Sequence, residues 1–167
     1  HYGLDKNWAM ANYWLFDALY EGNAGYRRNP QLGLAYLQKA VDLGVPLAQY
    51  ELARIYENKM KDAKTSESLF SCAAKQGFSA AMDELSISKK IDGDLKESLS
   101  LMHNAVRYGG QGGGGAAVGL EMVFSKDKEL MRQFSDIPAD PIRKAAYKEL
   151  YKALLGTGTK SGNPFYT

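Results

Sequence analysis

The sequence predicts an all-α protein, a solenoid of antiparallel helix pairs with a terminal helix closing the stack. Two observations predict it. The first is a recurring grammar: a small residue opens an amphipathic helix, a polar loop follows, and a second helix ends on Ala-Ala or Ala-Val shortly before a glycine. The second is the period of that grammar. Its openings at Ala11, Ala48 and Ala81 are 37 and 33 residues apart, inside the range of roughly 20–50 residues in which internal repeats mark helical arrays.

The first unit, about residues 11–47, opens Ala11-Asn12-Tyr13-Trp14-Leu15 and ends Gln38-Lys39-Ala40-Val41-Asp42-Leu43-Gly44, with Leu34, Leu37 and Val41 on the buried face of its second helix. The second, about 48–80, is the fullest copy. Leu52, Ile55 and Tyr56 lie at i, i+3 and i+4 on one helical face, which turns Glu51, Arg54 and Asn58 elsewhere. Its second helix carries Leu69, Phe70, Ala73 and Ala74, and the alanines let two helix axes approach. In the third unit, about 81–115, Ala81-Met82-Asp83-Glu84-Leu85 opens the pair, and Leu95, Leu99, Met102 and Val106 form the stripe of its partner. Gly44 and Gly77 fall just past the last periodic residues, where a left-handed backbone ends a helix, and Pro46 blocks continuation of the first.

After Gly109 the repeat blurs. The run Gly110-Gln111-Gly112-Gly113-Gly114-Gly115 reads as a flexible linker, and Ala116-Ala117-Val118-Gly119-Leu120 reads as the first helix of a partial fourth unit, 116–124, without a recognisable second half. Residues 125–156 form a helical cap: Lys126 to Phe134 gives a short helix, and Asp140-Pro141 supplies an N-cap and first-turn proline. Ile142, Ala146, Leu150 and Leu154 then make an apolar stripe ending at Gly156. Repeat arrays need such covers. Residues 157–167 read as an extended polar tail.

Composition narrows the function classes. With 167 residues, 45% hydrophobic and 24% charged, the chain can bury one sizeable core, and no run of about 18 apolar residues could span a bilayer. A formal charge of +2 argues for no nucleic-acid partner. Cys72 is the only cysteine, so neither an internal disulfide nor a cysteine metal cluster can form within one chain. His1 and His103 are the only histidines, too few for zinc hydrolysis or a serine triad, and Asp83 and Glu84 point about 100° apart on a helix rather than forming an acid–base pair. Gly110, Gly112 and Gly115 match Gly-x-Gly-x-x-Gly without the preceding strand that a dinucleotide site needs. The expectation is a non-enzymatic protein with no catalytic residues, no cofactor and no metal. Starting at His1 rather than methionine is what removal of a leader would leave. The oligomeric state is not legible.

The pattern Ala-x-Tyr-x-Leu-Ala/Gly-x-x-Tyr followed by Ala-Ala/Val-x-x-Gly resembles the Sel-one-like repeat (SLR), a relative of the tetratricopeptide repeat. Ala48, Tyr50, Leu52, Ala53 and Tyr56 match in one unit, Ala11, Tyr13, Leu15 and Gly22 in another, Ala81 and Leu85 in the third. Lys59-Met60-Lys61 replaces the family's glycine turn, and Lys89 stands where a helix tyrosine would be. The resemblance covers about residues 11–124. It implies a right-handed superhelix whose first helices line a concave protein-binding surface, without catalytic chemistry. A few degenerate units, a capped C-terminal helix and an Asn-Pro-Phe tail are similar to bacterial SLR proteins encoded beside secreted toxins, some of them immunity proteins against type VI secretion effectors, including phospholipases. A chain of that kind with a removed leader would be periplasmic, and otherwise cytoplasmic. The alternative function is a general SLR scaffold or adaptor in signalling or envelope assembly.

If the first helices line a binding face, their outward residues are Trp14, Asp17 and Glu21, then Tyr50, Glu51, Arg54 and Asn58, then Glu84 and Ile87. Tryptophan, tyrosine and arginine are frequent anchors of protein interfaces, although Trp14 and Tyr50 equally fit packing between units. The loops carry Arg27 and Arg28, then Lys59, Lys61 and Lys64, then Lys89 and Lys90. Stacked units would set these along one basic edge, suited either to an acidic partner or to ordinary solvation.

Overall fold

The computed structural model describes residues 2–127 and 129–158. Among them lie eight α-helices and no strand: α1 (Tyr2–Glu21), α2 (Pro30–Asp42), α3 (Pro46–Ile55), α4 (Ala63–Lys75), α5 (Ser79–Ile91), α6 (Leu95–Tyr108), α7 (Gly110–Val123) and α8 (Pro141–Gly158). Helices adjacent in sequence pack in pairs, as a solenoid of hairpins requires: α1 with α2, α3 with α4, α5 with α6, α7 with α8. The chain divides into two compact units, His1–Gln76 and Gly77–Thr167.

In the first unit, the α1/α2 loop ends at Asn29, whose side chain accepts from Leu32 N at 3.1 Å while Pro30 fills the first helical position. α2 can lie close against α1 because Gly33 has no side chain: a Cβ there would be 3.1 Å from Tyr20 N. Gly44 (φ +79°) ends α2 in the left-handed region, and Pro46 opens α3. Ala9, Phe16, Leu37, Ala40, Val45, Ala48 and Leu52 form one buried cluster, with Ile55, Tyr56 and Leu69 packed against it. Of the repeat alanines, Ala40 and Ala48 lie in this cluster and Ala53, Ala73 and Ala74 are also buried, whereas Ala11 is half-buried. α3 passes into a π turn over Tyr56–Met60, closed by Lys61 in a left-handed conformation (φ +56°). Asp62 caps α4 by accepting from Thr65 N, and that bond with a second from the Thr65 hydroxyl holds its carboxyl below the usual carboxylate range.

In the second unit, Asp94 caps α6 by accepting from Glu97 N, and the hydroxyl of the fully buried Ser98 donates to Ser86 O at 2.8 Å, tying α6 to α5. The glycine run is not a linker. α7 begins at Gly110, and the missing side chains bring its backbone against α5 and α6: a Cβ on Gly112 would overlap the backbone of Ser79 and Ala80, one on Gly113 would be 2.9 Å from Ala105 O, and one on Gly115 would strike the Asp83 carboxylate. Close packing outweighs glycine's poor helix propensity.

Residues 124–140 return the chain to α8 through a 3₁₀ segment, Glu129–Phe134, that buries Met131 and Phe134, and Asp140 N donates to Phe124 O at 3.0 Å. Asp140 caps α8 as expected, accepting from Ile142 N and Arg143 N. The face α8 buries differs from the expected stripe. Of the stripe, Ile142 is 81% and Leu150 40% exposed and Ala146 is exposed, and only Leu154 is half-buried, beside Tyr147 and Tyr151, with Tyr147 stacked on Phe124 at 5.9 Å. An aromatic contact and its polar tip set the rotation of α8, not the aliphatic row. Packed on α7, α8 stands where the second helix of a fourth hairpin would. The helix runs to Gly158, and the rest of the expected tail, 159–167, lies outside the described residues.

Candidate functional site

Along α1, Tyr13, Asp17 and Tyr20 succeed one another at helical spacing, and α3 with its π turn presents Glu51, Arg54, Ile55, Asn58 and Lys59 opposite. Between them runs a groove of about 270 Å³, also lined by Phe16 and Glu21. Five of the residues expected on the binding face, Asp17, Glu21, Glu51, Arg54 and Asn58, thus come together within the first unit.

Lining carboxylates set the groove's electrostatics. Burial pushes the Glu51 carboxyl above the usual range, Arg54 beside it pulls it back, and Asp17 across the groove pushes it up again. Asp17 accepts from the Asn23 amide at 3.3 Å. Lys59 was expected on the basic edge but turns inward: its ammonium lies 4.8 Å from the centre of the Tyr20 ring and donates to the Tyr20 hydroxyl. Tyr13, Phe16 and Tyr20 form a tilted aromatic row beneath, with centroids 5.8 and 5.3 Å apart.

Two anticipated anchors lie outside this groove. Tyr50 is half-buried, its ring 5.5 Å from that of Phe70 on α4 and 5.8 Å from the Arg54 guanidinium, so it packs within its own hairpin. Trp14 is 45% exposed and does not line the α1/α3 groove. Of the remaining basic residues in the first unit, Arg27, Arg28, Lys61 and Lys64 are exposed, and Arg28 donates to Tyr20 O at 3.1 Å. In the second unit Glu84, Lys89 and Lys90 are half-buried, Ile87 is exposed, and Lys90 approaches the Met131 sulfur at 3.9 Å. Among the described residues, no group of three or more His, Cys, Asp or Glu could hold a metal ion, and no helix is long and apolar enough to cross a membrane.

Sequence reasoning missed Tyr13 and Tyr20 as groove residues. Their signal was present: both stand on the Asp17 face of α1.

The same arrangement of helices recurs in solved proteins of Pseudomonas aeruginosa. The immunity protein PA5088 superposes with a TM-score of 0.62 at 25% identity, over 72% of this chain and 45% of its own. This chain shares the fold of PA5088. A second, immunity protein Pa5087, gives 0.60 at 22% identity over 87% of this chain and 68% of its own, and PA5086 gives 0.61 at 23% over 91% and 72%. At those identities the latter two speak for the fold alone. The chain spans less than half the length of PA5088. No protein-family model and no curated protein sequence matches it.

Proposed function

We propose that this chain is an immunity protein, built on SLR-type hairpins, that binds and occludes a secreted bacterial toxin. The likeness to the immunity protein PA5088 carries the reading. The α1/α3 groove supports it by offering aromatic rings and charged side chains in one depression, the composition from which interface anchors are drawn. On this reading Asp17, Glu21, Glu51, Arg54 and Asn58 meet the toxin, Trp14 lies beside the contact, and the exposed Arg27, Arg28, Lys61 and Lys64 steer an acidic part of its surface.

The toxin we favour is a phospholipase delivered by type VI secretion, following the resemblance to SLR immunity proteins. Neutralisation of a toxin calls for tight binding: ~1 nM corresponds to about −12 kcal/mol, and roughly 800 Å² per partner is the usual area of a stable complex. The deciding experiment co-expresses the chain with a phospholipase encoded beside its gene and measures growth and phospholipase activity. Rescue of growth with a 1:1 complex supports the proposal, and growth arrest despite folded, abundant protein rules it out.

A further inference from the structure

We infer that the α1/α3 groove is a seat for one cationic side chain, an arginine or lysine presented by the partner protein, and that Lys59 fills this seat until the partner displaces it. The inference rests on the groove being the docking face proposed above.

The walls have the chemistry such a guest needs. Tyr20 offers its ring and hydroxyl beside the buried Phe16, and Asp17 and Glu21 on α1 and Glu51 on α3 bring carboxylates to the same depression. Aromatic faces attract cations through the ring quadrupole, and carboxylates add charge-assisted hydrogen bonds. An anionic guest would meet three carboxylates and be repelled.

The molecule itself shows which ion the floor accepts. The Lys59 ammonium meets the Tyr20 ring at its hydroxyl edge and donates to the hydroxyl, the contact a partner's lysine or arginine would make. Lys59 remains exposed at the end of a π turn, so its side chain can swing out without unfolding a helix. The other lining cation, Arg54, is held at the Tyr50 ring and beside Glu51. It moderates Glu51, while Glu21 and Asp17, the latter also accepting from the Asn23 amide, face the guest. Glu51, held above its ordinary range by burial and by Asp17, gains most from a second positive charge.

The test is an NMR titration of the whole chain with N-acetyl-arginine methylamide, its glutamine counterpart and its glutamate counterpart. The arginine probe should bind in the millimolar range, shifting Tyr20 ring and Lys59 side-chain signals, with neither of the others doing so. Lys59→Met should tighten arginine binding at least ~3-fold, and Asp17→Asn with Glu51→Gln should weaken it at least ~5-fold, as loss of charge-assisted contacts requires. Each variant must keep the wild-type amide spectrum away from the groove; Lys59→Arg, which keeps the charge, should bind the probe like the parent. Equal binding of the glutamine probe, or no change with Lys59→Met, overturns the inference. If the probe binds as expected but no toxin is neutralised, the immunity reading fails and the seat stands. If a toxin is neutralised and no arginine probe binds, the seat fails alone.

Discussion

Gly112 of α7 lies so close to Ala80 of α5 that a Cβ on the glycine would fall on the Ala80 backbone nitrogen. Backbone atoms cannot step aside as a side-chain tip can. Gly112→Ala should therefore destabilise the protein by roughly 1–3 kcal/mol. Two residues on, Gly114 would bring its Cβ no nearer than 4.0 Å to Tyr151, so Gly114→Ala should stabilise by up to about 1 kcal/mol through helix propensity alone. Urea denaturation of both variants checks the opposed signs.

The same helix marks the limit of what the sequence makes legible. Hairpin pairing, the Gly44 and Gly77 helix ends and the Asp140 cap are written in local signals: spacing, breakers and capping residues. The role of Gly110 to Gly115 is not, because glycine's local preference points to a loop and only the backbone of α5 and α6 alongside rewards its small size. α8 misleads for a related reason, since Ile142 and Leu150 look inward until Tyr147 finds Phe124 and His103. Half the groove is legible from the outward positions on α1 and α3. Lys59 is not, because a π turn shifts the angular register that helical spacing assumes.

Asp83 makes stability depend on pH. Its carboxyl is pushed up to about 6 from 3.8, first by burial and then by Glu84 beside it. A carboxyl whose folded pKa lies above its unfolded value favours folding when protonated: this contribution is complete below about 3.8 and is lost as pH rises through about 6. Asp83→Asn should remove that slope and raise stability at pH 7 by about 1 kcal/mol, allowing for solvent screening of a part-exposed group. Thermal melts at pH 5 and pH 7 measure it.

His103 works in the opposite sense. Burial, and then the Arg143 guanidinium, hold its imidazole below 6.5, and its Nδ1 lies 2.9 Å from the Tyr147 hydroxyl. Its contribution is present above 6.5 and is lost as pH falls through the lowered folded value. Acid should loosen α8 first, and more visibly in an Asp83→Asn background, where the opposing carboxyl is gone. Tyr147→Phe keeps the ring on Phe124 and should cost no more than about 1 kcal/mol. Hydrogen exchange along α8 at pH 5 and pH 7.5 reports the loosening.

Folding and binding should separate by position. Ala53 is fully buried between helices, so Ala53→Leu should cost roughly 1–3 kcal/mol of stability by overpacking. Glu21, exposed at the rim of the groove, is different: Glu21→Lys with Trp14→Ala should leave the melting temperature nearly unchanged and weaken binding of the proposed toxin by at least about 2 kcal/mol. Calorimetry of folding beside titration of the complex distinguishes the two.

Lys61, with φ +56°, closes the π turn in a conformation that costs a side-chain-bearing residue about 1 kcal/mol. An ordinary α-helix advances about 100° per residue, so one residue removed between Tyr56 and Met60 would restore the regular ladder and rotate everything after the cut by that angle. Lys59 would leave Tyr20, and Asn58 would face away from α1. A shortened chain would thus keep every helix and still dismantle the groove between α1 and α3.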